Sequence, residues 1–138
     1  MFLYFPDNYM WSLAFMRALW SGAILGELHR IGQRLAPLQT VAPTGDLEAW
    51  HNEWYGLAEQ LETRAHEALA SAHRATAHDN FYRATIYYQW AEAFLPPDDA
   101  RKAYNNQQQS NAVAGAGRDR LVQLARKQRV QHALGAER

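Results

Sequence analysis

The chain of 138 residues contains no cysteine, which excludes disulfide bonds, thiolate nucleophiles and cysteine-ligated zinc. It also has no long apolar run. The longest weakly charged stretch, residues 8–24, includes Arg17 and falls short of the ~20 apolar residues that a membrane-spanning helix needs. The apolar N-terminus has no basic residue and reaches Asp7 too early for a secretion signal. We therefore expect a cytoplasmic protein with no membrane segment.

Aromatic residues are missing from the last 34 positions, although the chain holds five Trp, seven Tyr and five Phe. The charge balance changes in the same region. Residues 1–110 carry 8 basic and 12 acidic residues, whereas residues 111–138 carry 6 basic and 2 acidic residues. We predict a helical domain of residues 1–110 and a divergent basic tail of residues 111–138. The tail has no aromatic residues between its basic ones, so nucleic-acid binding is not expected.

Strand-like alternation is also missing, and apolar residues recur at spacings of three and four through most of residues 8–95. Four helices are predicted from this spacing and from the helix-breaking residues: 8–21, 23–35, 46–73 and 76–95. A fifth helix is predicted to open at Pro97, ahead of a polar run and two glycines. A weak sixth helix is predicted over residues 118–134. The fold class is therefore all-α, an irregular bundle of about five to six helices.

Three of the predicted helix starts carry capping residues. Asp7 and Asp46 each precede a helical pattern and are good N-caps. Thr76, followed by Asp79, has the form of a capping box at the start of the fourth helix.

The fourth helix holds the most specific sequence pattern: Thr76-Ala77, Tyr82-Arg83-Ala84, Tyr87-Tyr88, Ala91-Glu92 and Phe94-Leu95, then Asp98-Asp99-Ala100-Arg101. This pattern resembles the helical region that precedes the catalytic core in the α/β-hydrolases typified by 2,6-dihydropseudooxynicotine hydrolase and the fungal polyketide-shortening hydrolases. The likeness extends back to Arg17-Ala18-Leu19, Gly22-Ala23, Gly26-Glu27 and Trp50 with Trp54. It covers about residues 5–104.

The resemblance implies a helical lid that belongs to a serine hydrolase acting on a small carbonyl compound. Enzymes of this family carry their nucleophile in a G-x-S-x-G elbow. None of the four serines of this chain lies in such a motif: Ser12, Ser21, Ser71 and Ser110. Only Ser21 has a glycine neighbour, and Leu19 occupies the place of the first elbow glycine. We therefore predict that the chain contains no catalytic residue and is inactive alone.

The histidines do not have the spacing of a metal site. His66-Glu67 is followed by Ala70, where the second histidine of an H-E-x-x-H motif would stand. We interpret His51, His66, His73 and His78 as solvated or capping residues. No metal and no cofactor are predicted.

The candidate substrate-pocket residues are Glu27, Tyr82, Tyr87 and Tyr88. Tyrosines present a ring with a polar tip, which suits the lining of an apolar substrate chamber, although packing in the core is the simpler interpretation. Glu27 either meets a polar group of the substrate or is solvated on the second helix. Arg83 and Glu92 are predicted to form ion pairs on or between helices.

The resemblance ends after Tyr104, and the rise in Ala, Gly and Arg beyond it is typical of a shifted reading frame in a GC-rich gene. The first hypothesis is therefore a truncated hydrolase-like lid, with a small-molecule substrate only in a full-length parent. Apolar faces that no sheet covers would favour self-association. The alternative is a self-contained helical scaffold or adapter that binds a protein partner.

Overall fold

The computed structural model describes residues 4–115 and 117. Its elements are α1 (Tyr9–Trp20), α2 (Leu25–Leu35), a short 3-10 turn (Ala36–Leu38), α3 (Leu47–Ala70) and α4 (Arg74–Ala91). Residues 100–115 are also helical, and we label them α5. The described part of the chain contains no strand, so the predicted all-α class is confirmed. The predicted sixth helix lies outside the described residues.

Two of the three predicted caps are wrong. Asp46 caps α3 as expected, because its side chain accepts a hydrogen bond from the Ala49 amide at 2.9 Å. The cap of α1 is Asn8, whose Oδ1 accepts from the Trp11 amide at 3.0 Å. The Asp7 amide donates instead to the side chain of Gln39. Helix α1 therefore begins after Asn8, which supplies the cap, while Gln39 binds the amide of Asp7.

The fourth helix begins two residues before the predicted capping box at Thr76, at Arg74. The reason is a tight reversal after α3. Ala72 adopts a left-handed conformation with φ of 61°, and the His73 amide donates to the Ala68 carbonyl oxygen at 2.8 Å. This hydrogen bond closes the end of α3 and reverses the chain, so that α4 begins at Arg74.

The end of α4 also differs from the prediction, because the helix stops at Ala91 rather than at Leu95. Two side chains of α3 take the last carbonyl groups of α4. Trp50 Nε1 donates to the Trp90 carbonyl oxygen at 2.8 Å, and the His51 ring bonds the Ala91 carbonyl oxygen at 3.0 Å. These tertiary bonds satisfy the end of the helix without a further turn.

The α5 helix continues through the polar run at residues 105–111 and across the predicted domain boundary at 110. Packing explains this continuity. Ala112 is fully buried, and a Cβ added to Gly115 would lie 2.9 Å from the ring of Phe81. Gly115 therefore allows α5 to approach α4 closely, whereas the sequence predicted a helix breaker.

An aromatic core holds the helices together. The α3 and α4 helices form the main antiparallel pair, and rings of α1 and of the preceding loop pack against α3. Trp50 lies at the centre of this core, with its ring centroid 5.1 Å from that of Trp11 and 5.4 Å from that of Trp54. A glycine is required at position 45, next to the Trp11 ring, because a Cβ there would lie 2.5 Å from that ring. Buried residues of α1, α2, α3, α4 and α5 complete the core.

Candidate functional site

A buried polar network joins α2 to α4. One carboxylate oxygen of Glu27 accepts a hydrogen bond from the Arg83 guanidinium, and the other accepts from the Tyr87 hydroxyl. The Glu27 and Arg83 side chains are only 8% and 19% exposed, so this ion pair is largely removed from water. Arg83 also donates to the Asn80 side chain at 2.6 Å, and Asn80 is itself buried. We call these four residues the Glu27 network: Glu27, Asn80, Arg83 and Tyr87.

The network fixes the start of α2 as well as the position of α4. The Tyr87 hydroxyl accepts from the Ile24 amide at 3.1 Å while it donates to Glu27. Ile24 is the N-cap position of α2 and has no capping side chain, so the tyrosine satisfies one of the free amides at this helix start. The sequence prediction that Arg83 forms an ion pair between helices is confirmed. Glu27, for which solvation was one interpretation, is buried.

An exposed apolar corner borders this network at Arg83. Gly22, with φ of 107°, turns the chain between α1 and α2 in a conformation that favours glycine. Tyr82 of α4 donates from its hydroxyl to the Ser21 carbonyl oxygen at 3.3 Å, and a cavity of about 260 Å³ lies between Tyr82, Ile24 and Arg83. Four large side chains at this corner are between 47% and 80% exposed, and we call them the corner patch: Trp20, Ile24, Leu25 and Tyr82.

Tyr88 belongs to a different site from its neighbour Tyr87. Its hydroxyl donates to Glu62 of α3 at 2.6 Å, and its ring centroid lies 5.4 Å from that of Tyr55. A cavity of about 420 Å³ between α3 and α5 is lined by Glu62, His66 and Tyr88, among others. Of the four sequence-predicted pocket residues, the structure therefore brings Glu27 and Tyr87 together, places Tyr82 beside them at the surface, and separates Tyr88.

Burial raises the pKa of Tyr87, and its hydrogen bond to Glu27 raises it further. Burial likewise raises the pKa of Tyr88, together with the hydrogen bond to Glu62. Both phenols are therefore held in the protonated form, in which each donates a hydrogen bond to a carboxylate. Neither tyrosine is suited to act as a base near neutral pH.

These raised pKa values predict a loss of stability in alkali. The unfolded chain releases the phenolic protons near the ordinary pKa of about 10, while the folded chain retains them. The stabilisation is therefore complete below pH ~10 and is lost as the pH rises above it, by about 1.4 kcal/mol per pH unit for each tyrosine. Urea unfolding followed by circular dichroism across this range measures the slope. The double variant Tyr87→Phe, Tyr88→Phe should show a shallower slope; an unchanged slope would contradict the assignment.

His51 and three of the serines are occupied by structural contacts. His51 is buried and stacks on Tyr55 at 5.5 Å, so it is not solvated; its ring bonds the last carbonyl group of α4, as expected of a capping residue. Its burial follows from the bond that its ring makes to α4. The Ser12 and Ser21 hydroxyls donate to the carbonyl oxygens of Phe5 and Arg17, respectively. Ser110 donates to Asn106 in the same way.

Sequence reasoning missed the partners in these networks. Asn80, Glu62 and Ile24 have no distinctive motif around them, and the residues that they contact lie 3 to 63 positions away in the chain. One signal was present: Glu27 is the single acidic residue of α2, in a helix with Arg at two positions, and such a residue is a natural ion-pair partner.

Comparison with protein-family models, with curated proteins and with solved structures gives no match to this chain. Within residues 4–115 and 117, no helix combines the length and the apolar character needed to cross a membrane. The same residues contain no group of three or more His, Asp or Glu side chains arranged to hold a metal ion.

Proposed function

We propose that this chain is a helical cap of the α/β-hydrolase type, which covers the substrate chamber of a serine hydrolase acting on a small ester or ketone. The proposal rests on the resemblance of residues 5–104 to the helical region of that family. In this proposal the chain shapes the pocket and excludes water, and the bond-breaking groups belong to a catalytic domain with a G-x-S-x-G elbow. The chain alone is inactive.

The observation that carries the proposal is the corner patch above the Glu27 network. A cap needs an apolar face toward its ligand, and Trp20 is 80% exposed although it is among the largest apolar side chains of the chain. It also needs that face held in place. Here Tyr87 bonds the first turn of α2, and Tyr82 bonds the end of α1, so both sides of the corner are tied to α4.

The coding DNA tests this proposal most directly. All three reading frames downstream of the codon for Tyr104 should be translated and inspected for a strand followed by G-x-S-x-G. A frame that encodes this elbow supports a cap of a hydrolase. If no frame encodes it, the hydrolase proposal fails.

A solution experiment tests the corner patch. The purified chain is expected to self-associate as its concentration rises, because the corner patch is not covered within the described residues. The double variant Trp20→Ser, Leu25→Ser should shift the chain toward the monomer in size-exclusion chromatography with light scattering. The melting temperature should stay within about 2 °C, since exposed side chains contribute little to stability. A wild-type chain that is monomeric at all concentrations would contradict this prediction.

A self-contained interaction module is the second candidate, and one observation favours it. Large side chains of α1 and α3 are fully buried by the helices themselves, with no sheet needed to cover them: Trp11, Trp50, Trp54, Phe15 and Leu61. A cooperative, reversible thermal transition of a monomer would favour this candidate, whereas a molten helical species would favour the isolated cap.

A further inference from the structure

A polar groove runs between α2 and α3. Its volume is about 390 Å³, which is in the range of small-molecule sites of roughly 300–1,000 Å³. One wall carries Arg30 and Arg34 of α2, and the other carries Gly56, Gln60 and Arg64 of α3. We call it the arginine groove.

The arginine groove carries an excess of positive charge. Its two carboxylates are already paired, Glu27 with Arg83 and Glu53 with Arg34, the latter at 3.1 Å. Arg30 and Arg64 have neither an ion-pair nor a hydrogen-bond partner among residues 4–115 and 117. Two guanidinium groups, one on each wall, are therefore available to a ligand. Such groups bind carboxylate and phosphate oxygens through paired hydrogen bonds.

Gly56 is the second, independent observation. It lies in the interior of α3, a helix of 24 residues, where glycine is the least favourable residue after proline. Packing does not require it, because a Cβ added there would meet nothing within 4 Å. The missing side chain instead leaves the wall of the groove open down to the helix backbone. Glycine lowers the stability of the helix here without allowing closer packing within the protein. Such a glycine is typical of a position where a ligand approaches the backbone closely.

We propose that the arginine groove binds a small organic molecule with two negative charges, such as a phosphate monoester or a dicarboxylate. Arg30 and Arg64 hold the anionic oxygens from opposite walls. The Gln60 side chain offers a neutral donor and acceptor between them, and Gly56 provides room for the body of the ligand. The ligand contacts proposed here use neither the corner patch nor a catalytic group, and Glu27, which also lines the groove, stays paired with Arg83.

Isothermal titration calorimetry on the full chain tests the proposal with four probes: glycerol 3-phosphate, succinate, inorganic phosphate and neutral glycerol. One of the organic dianions is expected to bind and glycerol is not. A preference between the first two probes distinguishes a phosphate ester from a dicarboxylate. Binding of inorganic phosphate alone, or of no dianion at millimolar concentration, would overturn the proposal.

The double variant Arg30→Ala, Arg64→Ala is expected to raise the Kd at least about tenfold, because each charged hydrogen bond that is lost weakens binding. Arg17→Ala is the matched control, since this exposed arginine lies on α1 outside the groove. An equal Kd for the wild type and the double variant would overturn the site.

Gly56→Ala separates binding from stability. Alanine should raise the melting temperature by about 4 °C through its better helix propensity. It should also raise the Kd, because its methyl group occupies space that the ligand uses. A higher melting temperature with an unchanged Kd would overturn the role assigned to Gly56. The melting temperature and the Kd are measured on the same sample, so a change in stability is distinguished from a change in binding.

Discussion

Glu27→Ala is expected to lower the free energy of unfolding by about 3–5 kcal/mol, the cost of breaking a buried ion pair by removing one partner. The variant leaves the Arg83 guanidinium without its carboxylate in a site where that side chain is only 19% exposed. It also removes the acceptor of the Tyr87 hydroxyl. Urea denaturation followed by circular dichroism measures the loss. A native stability in the usual range of about 5–15 kcal/mol leaves the variant folded but weakened.

An exposed ion pair provides the matched control. Glu53→Ala removes the carboxylate that pairs with Arg34, whose side chain is 67% exposed, and should cost less than about 1 kcal/mol. Glu27→Gln should cost less than Glu27→Ala, because the amide still offers one acceptor for the network. If Glu27→Ala and Glu53→Ala cost the same, burial does not strengthen the Glu27 network as we infer.

Trp50→Ala is expected to have a comparable effect, about 3–5 kcal/mol, which is typical of deleting a buried aromatic side chain. The Trp50 ring contacts Phe94 at 4.8 Å as well as Trp11, and its indole nitrogen donates to the Trp90 carbonyl oxygen. The variant therefore opens a cavity in the core and also frees an acceptor at the end of α4. Chemical denaturation measured by intrinsic fluorescence and circular dichroism gives the change.

Trp20→Ala is the matched control for this variant, since Trp20 is 80% exposed and Trp50 is fully buried. We expect Trp20→Ala to change the free energy of unfolding by no more than about 0.5 kcal/mol. Trp50→Phe keeps much of the ring contact and loses the hydrogen bond, so it should remain folded if Trp50→Ala does not. Equal effects of alanine at the two tryptophans would contradict the observed core.

The two variants with the largest expected effects, Glu27→Ala and Trp50→Ala, both weaken the attachment of α4 to its neighbouring helices. The Glu27 network ties α2 to α4, and Trp50 ties α3 to the end of α4. The Glu27 network borders the corner patch, because Arg83 lines the same cavity as Ile24 and Tyr82. A variant that weakens the Glu27 network should therefore loosen the corner patch before it unfolds the core. This links stability to the proposed cap, because a cap needs a rigid apolar face.

The helices were predictable because helix formation depends on local spacing. Apolar residues at intervals of three and four gave the class and the approximate position of α1 to α4, and Asp46 was a correct cap because its partner amide is three residues away. The ends of α4 were not predictable. They depend on a left-handed Ala72 at one end and on Trp50 and His51 of another helix at the other.

The candidate site was predictable only in part. Glu27 and Tyr87 were identified as polar residues in apolar surroundings, yet nothing in the sequence paired two residues 60 positions apart. Tyr87 and Tyr88 are neighbours in the chain, but their hydroxyls bond different helices, because successive residues of a helix point about 100° apart. The arginine groove could not be predicted from the sequence, because its residues come from two helices whose packing brings them together.

By itself, the sequence determined that most of residues 8–95 is helical and rich in aromatic residues, and that thiol chemistry is excluded. These properties follow from residue types and short-range spacing. Only the tertiary structure decided which charges are neutralised, which tyrosines keep their protons and which arginines remain available. Those properties depend on contacts between helices that are distant in the chain, and on the removal of water that such contacts produce.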